Sequence, residues 1–275
     1  MNIQRFAAFS DGDTGGNPAG VVISDVPPPA MEMQRIARTV GYSETAFATR
    51  LGEAWNVRYF SPEAEVPFCG HATIALGAAL TLQHGAGRYP LALAQSTISV
   101  EGERRGDLVS ASLQSPTTRT APVDAESLQQ ALILFGLRIE ELDQRALPAL
   151  IHAGSDHLLL MLRSRTTLST MKYDVDAGKR LMRSKQWVTV MLCFAESSQL
   201  FHTRNAFAYG GIYEDPATGA AAAALAGYLR DVGWPHEGRI DIHQGDDMGV
   251  PCRLKAEFSS VRGSSIRVSG TARLI

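Results

Sequence analysis

Apolar side chains recur along this chain in two rhythms, and the switches between them mark out its elements. Over 31–40 they fall at Met33, Ile36, Ala37 and Val40, the spacing of one helix face. Over 70–83 and 220–229 small and apolar residues run almost unbroken, a composition suited to close helix packing. A further helix is predicted over 127–134. Alternation predicts strands over 46–49 and 55–60. Short runs bounded by turn residues predict others at 3–9, 20–24, 97–100, 108–113, 157–162, 186–194 and 201–206, with a β-rich tail at 239–242, 253–258 and 265–268. The turn-rich DGDTGGNP at 11–18 separates the first two strands.

The chain echoes itself. In the first half Arg58-Tyr59-Phe60 leads through Pro62, Glu63 and Pro67 to Cys69-Gly70-His71-Ala72-Thr73 and an Ala/Leu-rich helix. In the second half Arg204-Asn205-Ala206-Phe207 leads through Glu214-Asp215-Pro216 to Thr218-Gly219-Ala220-Ala221 and another such helix. Both read as strand, turn and small-residue helix start, with Cys69 matching Thr218 and Gly70 matching Gly219. The agreement of glycines and helix phase points to a duplication. The expected lobes are 1–115 and 125–262, joined by a linker rich in Thr, Ala and Pro near 115–123. A strand at about 264–275 is expected to return to the first lobe.

Composition narrows the setting. The 275 residues carry 26 Lys+Arg against 28 Asp+Glu, a formal charge of -2, with no basic stripe, so nucleic acid is not an expected partner. The longest apolar stretches fall short of the roughly 20 residues a membrane span needs. The N-terminal MNIQRFAAFS lacks a basic segment followed by an apolar one, so no signal peptide and a cytoplasmic location are expected. Three cysteines, Cys69, Cys193 and Cys252, with no CxxC pair, argue against a disulfide framework and a structural zinc site. No G-x-G-x-x-G fingerprint follows a strand, and no His/Cys/Asp spacing suggests a metal, so neither nucleotide, cofactor nor metal is expected.

The candidate chemistry collects at the two echoed turns and at one strand mouth. A helix N-terminus offers unsatisfied N–H groups and the positive end of the dipole, and glycine lets a ligand approach the backbone. The starts at Cys69-Gly70-His71 and Thr218-Gly219-Ala220, if they face each other, would clamp a small carboxylate. Ordinary capping by Thr218 is the competing account. Asp215 is placed to cap, to hold a ligand group or to accept a proton. His71 sits in the first turn of its helix, where a ring nitrogen can shuttle a proton. Glu44, in Gly41-Tyr42-Ser43-Glu44-Thr45-Ala46-Phe47, stands at the mouth of an apolar strand, a partly desolvated position that suits a general acid/base. The competing account is an edge-strand glutamate paired with an arginine. Asn17, in Asn17-Pro18-Ala19-Gly20, and Gln244 and Met248, in the turn from Gln244 to Pro251, are candidate lining residues. The other histidines, His84, His152, His157, His202, His236 and His243, lie in no comparable motif and read as structural.

In this order, Asn17-Pro18-Ala19-Gly20, Ser43-Glu44-Thr45, Arg58-Tyr59-Phe60-Ser61-Pro62, Cys69-Gly70-His71-Ala72-Thr73, Glu214-Asp215-Pro216-Ala217-Thr218-Gly219 and Gln244-Gly245 with Met248-Gly249 and Pro251 resemble the PhzF-like isomerase family of phenazine biosynthesis, within the diaminopimelate-epimerase-like fold. The resemblance implies an α+β protein of two pseudo-symmetric lobes, each a curled, mainly antiparallel sheet around a central helix starting at Gly70 or Gly219. It implies a site between the lobes, no cofactor and a homodimer. By the same resemblance Glu44 moves the proton, His71 and Asp215 bind, orient and assist, and Gly70 and Gly219 supply backbone donors. Ala220 stands where the family often has serine, removing a hydroxyl.

Three activities are consistent with these residues. The first is a cofactor-free isomerase in which Glu44 takes a proton next to a carbonyl, carboxylate or vinylogous group and returns it elsewhere. The second is a racemase, epimerase or dehydratase of an amino or hydroxy acid using Cys69 and Thr218, for which a threonine hydroxyl is a weak acid and base. The third is a non-enzymatic ligand-binding protein on the same fold.

Overall fold

In the computed structural model, which describes residues 2–94 and 96–275, the internal contacts divide the chain into two units, Met1–Gln114 with Ser269–Ile275, and Ser115–Val268.

The first unit contains, in order, β1 (Gln4–Ala8), β2 (Asn17–Ser24), α1 (Ala30–Val40), β3 (Glu44–Leu51), β4 (Ala54–Phe60), β5 (Glu65–Val66), α2 (Gly70–His84), β6 (Gly87–Ala92), β7 (Thr97–Arg105) and β8 (Leu108–Gln114). Pairing runs β1–β2 antiparallel, β2–β3 parallel across α1, β3–β4 antiparallel, β4–β6 parallel across α2, then β6–β7 and β7–β8 antiparallel. The C-terminal strand Arg267–Leu274 pairs with both β8 and β1 and so closes a barrel among the described residues. The near-continuous apolar run of α2 now has its reason: residues 71–81 are all buried, and the helix touches β1, β2, β3, β6, β7 and β8. A helix surrounded by sheet has no solvent face to make polar. Its approach to β7 is close. A Cβ on Gly77 would lie 2.5 Å from Val100 Cγ2. By contrast α1 is amphipathic. It buries Met33, Ile36 and Ala37 against Val22, Phe47 and Phe60 on the outside of the sheet and ends on the left-handed Gly41.

The second unit contains β9 (Arg119–Pro122), α3 (Ala125–Phe135), β10 (Ala149–His152), β11 (Asp156–Leu162), α4 (Arg165–Ser169), α5 (Val175–Lys185), β12 (Thr189–Ala195), β13 (Leu200–Ala206), β14 (Glu214–Asp215), α6 (Gly219–Asp231), β15 (Arg239–Gln244) and β16 (Cys252–Glu257). Its ladder repeats that of the first unit. β10–β11 is antiparallel, β11–β12 parallel, β12–β13 antiparallel, β13–β15 parallel and β15–β16 antiparallel. Even the short strands correspond: Phe60 pairs with Glu65 in one unit and Ala206 with Glu214 in the other. In each, the arginine two residues earlier on the long strand grips that glutamate. Arg58 Nε donates to Glu65 Oε1 at 2.7 Å, and Arg204 Nε to Glu214 Oε1 at 3.0 Å. The chain is thus α+β, with one plan used twice.

The expected linker departs from the sequence reading. At 115–123 it contains β9, which pairs with β10 through Arg119↔His152 to Pro122↔Ala149. Its own side chains carry little apolar periodicity, so the strand owes its existence to its neighbour. The stretch over 165–185, where the sequence reading places no element, holds the five-residue α4 and the charge-rich α5. Their starts are nonetheless written in side chains: Ser164 Oγ accepts from the Thr166 and Thr167 N–H groups, and Asp174 from that of Ala177.

One buried histidine makes stability depend on pH. His157 is fully buried, hydrogen-bonded to Ser155 Oγ at 3.0 Å and to Thr189 Oγ1 at 2.8 Å. Burial pushes its ring down from 6.5 to about 3. Above pH 6.5 the ring is neutral folded and unfolded, and the group exerts no pH effect. As pH falls from 6.5 toward 3 the unfolded chain gains a proton that the folded chain refuses, so stability falls. One proton corresponds to roughly 1.4 kcal/mol per pH unit. Denaturant titrations between pH 7 and 4 should show this loss, and His157→Asn should flatten the slope; an equal slope in that variant would refute the assignment.

Candidate active site

The two echoed helix starts are uncapped by side chains. Neither Cys69 nor Thr218, at the N-cap positions, accepts a capping hydrogen bond from a backbone N–H of its helix through its side chain. The first intrahelical bonds are Thr73 N–H to Cys69 C=O and Ala222 N–H to Thr218 C=O, each 3.0 Å. The N–H groups of Gly70, His71 and Ala72, and of Gly219, Ala220 and Ala221, precede them and have no intrahelical acceptor. Threonine caps readily, so the capping account expected from sequence fails for a specific reason: Thr218 Oγ1 is committed elsewhere.

In the first unit four predicted residues converge. Glu44 opens β3, in parallel register with Ala19. Its Oε2 lies 3.5 Å from His71 Nε2, with the glutamate side chain 18% exposed and the imidazole 7%. Ser43 Oγ approaches the same Nε2 at 3.3 Å, and Cys69 Sγ lies 3.3 Å from Nδ1. The ring thus stands between a carboxylate and a thiol. With a proton on Nε2 the ring turns an N–H toward the carboxylate, and Nδ1 accepts from the thiol. At 3.5 Å the imidazole attracts the carboxylate without fully occupying its lone pairs, so Glu44 retains capacity to accept a proton. Beneath this group, Tyr59 hydroxyl meets Thr73 Oγ1 at 2.7 Å, and Thr73 Oγ1 donates to Cys69 C=O at 2.7 Å. Burial pushes the Tyr59 phenol well up, so it serves as a neutral donor. Tyr59 and Thr73 were missed as supports, although both lie inside motifs that sequence singles out. Asn17 is buried at the start of β2, two residues before the partner of Glu44.

In the second unit Asp215, Thr218 and Gln244 converge. Thr218 Oγ1 donates to Asp215 Oδ2 at 2.6 Å and accepts from Gln244 Nε2 at 3.1 Å. Gln244 also donates to Asp215 C=O at 2.7 Å and accepts from Thr218 N–H at 3.2 Å. The amide, 1% exposed, fixes the turn before α6. Gly219 is buried and Ala220 half-buried at the helix start. Gly245 is irreplaceable on geometry: at φ +80°, its Cβ would lie 2.2 Å from Val250 C=O oxygen. Met248 sits exposed on the turn Asp246–Met248, outside this hydrogen-bonded group.

Glu44, Cys69 and His71 also form a donor set of the kind zinc accepts, their ligand atoms within 4.8 Å of one another. Here those atoms are engaged with each other. Among the described residues no helix is long and apolar enough to cross a membrane.

Comparison with known proteins places this arrangement. A family model described as phenazine biosynthesis-like protein matches residues 6–275. An uncharacterized isomerase of Deinococcus radiodurans is 32% identical, with 97% of this chain and 90% of that protein covered. The trans-2,3-dihydro-3-hydroxyanthranilate isomerase of Pseudomonas fluorescens is 31% identical, with 96% of this chain and 93% of that protein covered. A crystal structure of the Bacillus anthracis phenazine biosynthesis protein of the PhzF family shares the fold with a TM-score of 0.88 at 20% identity, covering 100% and 98% of the two chains. Coverage of almost every residue, together with the repeated ladder and the Glu44 and Asp215 groups, leaves one conclusion: this chain is an isomerase belonging to the PhzF-type, phenazine biosynthesis-like family.

Proposed function

We propose that this isomerase moves a proton within a small carboxylate-bearing substrate by general acid/base catalysis at Glu44. The observation that carries the reading is the Glu44 carboxylate, mostly buried, 3.5 Å from His71 Nε2. Glu44 removes a proton from a carbon next to a carbonyl, carboxylate or vinylogous group. The C–H pair enters the π system, and Glu44 returns the proton to the far end, so atoms and electrons balance with no external reagent. His71 faces the carboxylate, and Ser43 Oγ approaches the same ring nitrogen. The N–H groups at Gly70 and His71, and at Gly219 and Ala220, are proposed to receive substrate oxygens. Asp215, Thr218 and Gln244 are proposed as binding groups of the second unit. With Ala220 in place of the family serine, position 220 itself offers a substrate oxygen only its backbone N–H.

The first compound to offer is trans-2,3-dihydro-3-hydroxyanthranilate, on which the Pseudomonas relative acts by its name. Turnover in D₂O should place deuterium at the protonated carbon to the extent that Glu44 exchanges with solvent. Cys69→Ala should keep most of this activity, because the part of the thiol is limited to its hydrogen bond with His71 Nδ1. Loss of turnover in Cys69→Ala with Glu44→Gln still active would instead select thiol chemistry. Against that alternative stands Thr218, whose hydroxyl already donates to Asp215 and accepts from Gln244.

A further inference from the structure

A second cluster of ligating side chains lies in the second unit, outside the groups used above. His202 on β13 and His243 on β15 are direct partners in the parallel ladder, so their side chains share one face of the sheet. Their rings stand 5.3 Å apart at 82°. Asp246 follows the left-handed Gly245, which turns the chain back and brings the carboxylate to the pair. One ligand atom from each of His202, His243 and Asp246 lies within 4.8 Å of the others, and all three residues are half-buried.

We propose that His202, His243 and Asp246 form a binding site for a zinc-class divalent transition metal ion, with water completing its coordination. Two imidazoles and one carboxylate are a donor set that zinc, cobalt, nickel and copper accept. Zinc bonds of about 2.0–2.2 Å place tetrahedral ligand atoms about 3.3–3.6 Å apart, so closure here needs side-chain shifts of about 1 Å. The surroundings of His202 suit ligation. Its Nε2 is 2.6 Å from Glu196 Oε2, while Nδ1 is buried and has no hydrogen-bond partner. A carboxylate on one ring nitrogen fixes the tautomer and presents the lone pair of the other, the arrangement that commonly backs a metal-bound histidine. A buried ring nitrogen with an unused lone pair is otherwise a cost without return. Asp246 is held by Arg253, whose Nη2 donates to Oδ1 at 2.8 Å and Nη1 to Oδ2 at 3.1 Å. That arginine orients the carboxylate, and Asp246 with Glu196 offsets the combined positive charge. The site brackets Gln244, the residue that clamps Thr218 and Asp215, so an ion would stiffen the turn carrying it.

Sequence spacing could not reveal this site, because residues 202 and 243 meet only through strand pairing. The test is titration of the chelator-stripped full chain with Zn²⁺ against a chromophoric competitor, together with Co²⁺ absorption spectra. The expected result is one ion per chain, a Co²⁺ spectrum without thiolate charge-transfer absorption, and binding weakened at least tenfold in each of His202→Ala and His243→Ala. Glu196→Gln should weaken it by roughly 10- to 100-fold, as outer partners of metal-bound histidines do. Zn²⁺ should raise the Tm of the unaltered chain and leave that of His243→Ala unmoved. Absence of binding, or affinity unchanged in both histidine variants, would overturn the proposal. So would thiolate absorption that vanishes in Cys69→Ala, which would put the ion at the Glu44, Cys69 and His71 group. If the histidine variants fail to fold, the Co²⁺ spectrum of the unaltered chain decides alone.

Discussion

Replacing Glu44 by glutamine is expected to lower kcat by about 10²- to 10⁴-fold, the usual contribution of a positioned acid/base. That corresponds to roughly 3–5 kcal/mol of barrier. The amide keeps the volume and the contact with His71 but cannot take a proton from carbon. Substrate binding should therefore persist, and deuterium incorporation from D₂O should stop. Glu44→Asp tests position separately. It keeps the carboxylate but draws it back by one methylene from a carbon it must reach, and a 1 Å misplacement costs on the order of 10²-fold. Pre-steady-state and steady-state rates with bound-ligand measurements separate these effects. A glutamine variant with unchanged kcat and exchange would remove Glu44 from the chemistry.

Glu214→Ala is expected to cost about 3–5 kcal/mol of stability, because it leaves a buried guanidinium without its counter-ion. Arg204 and Glu214 have side chains only 9% and 2% exposed. Arg204 Nη1 additionally donates to Ser169 C=O at 2.9 Å, so the pair ties α4 to β13 and β14. The guanidinium is held in its charged form by Glu214 despite desolvation. A loss of this size is a large part of the 5–15 kcal/mol that stabilises a typical domain, given in round figures. The duplicated counterpart supplies an internal control. Arg58 and Glu65 are 32% and 41% exposed, and Glu65→Ala should cost under about 1 kcal/mol. Urea denaturation of the two variants in parallel decides the matter, and equal losses would refute the assignment of cost to burial. Combining Glu214→Leu with Arg204→Met should recover much of the stability, since the uncompensated charge is then gone.

The residues legible in the sequence are those whose role is local. Gly70 and Gly219 open the central helices, Glu44 opens a strand, and the echo from Arg58 to Thr73 and Arg204 to Ala221 marks the duplication, because each depends on neighbours a few positions away. Other features depend on pairing between distant segments. β9 exists through β10, and its sequence, Arg-Thr-Ala-Pro, has no strand rhythm of its own. α4 is only five residues long and α5 is rich in charge, and only their caps announce them. Thr218 illustrates a third limit. Its identity suits a cap, yet Asp215 and Gln244 claim the hydroxyl, and nothing near Thr218 in sequence reveals Gln244 as its partner. His202 and His243 fail for the same reason.

The strand Arg267–Leu274 completes the barrel whose other staves lie before residue 115. During synthesis the first unit therefore waits, with the edges of β1 and β8 open, while more than half of the chain passes through the ribosome. The second unit is continuous in sequence and can condense in that interval, so the topology permits it to mature before the first unit closes. An unsealed sheet of this kind is the natural place for a chaperone to act or for nascent chains to stick together.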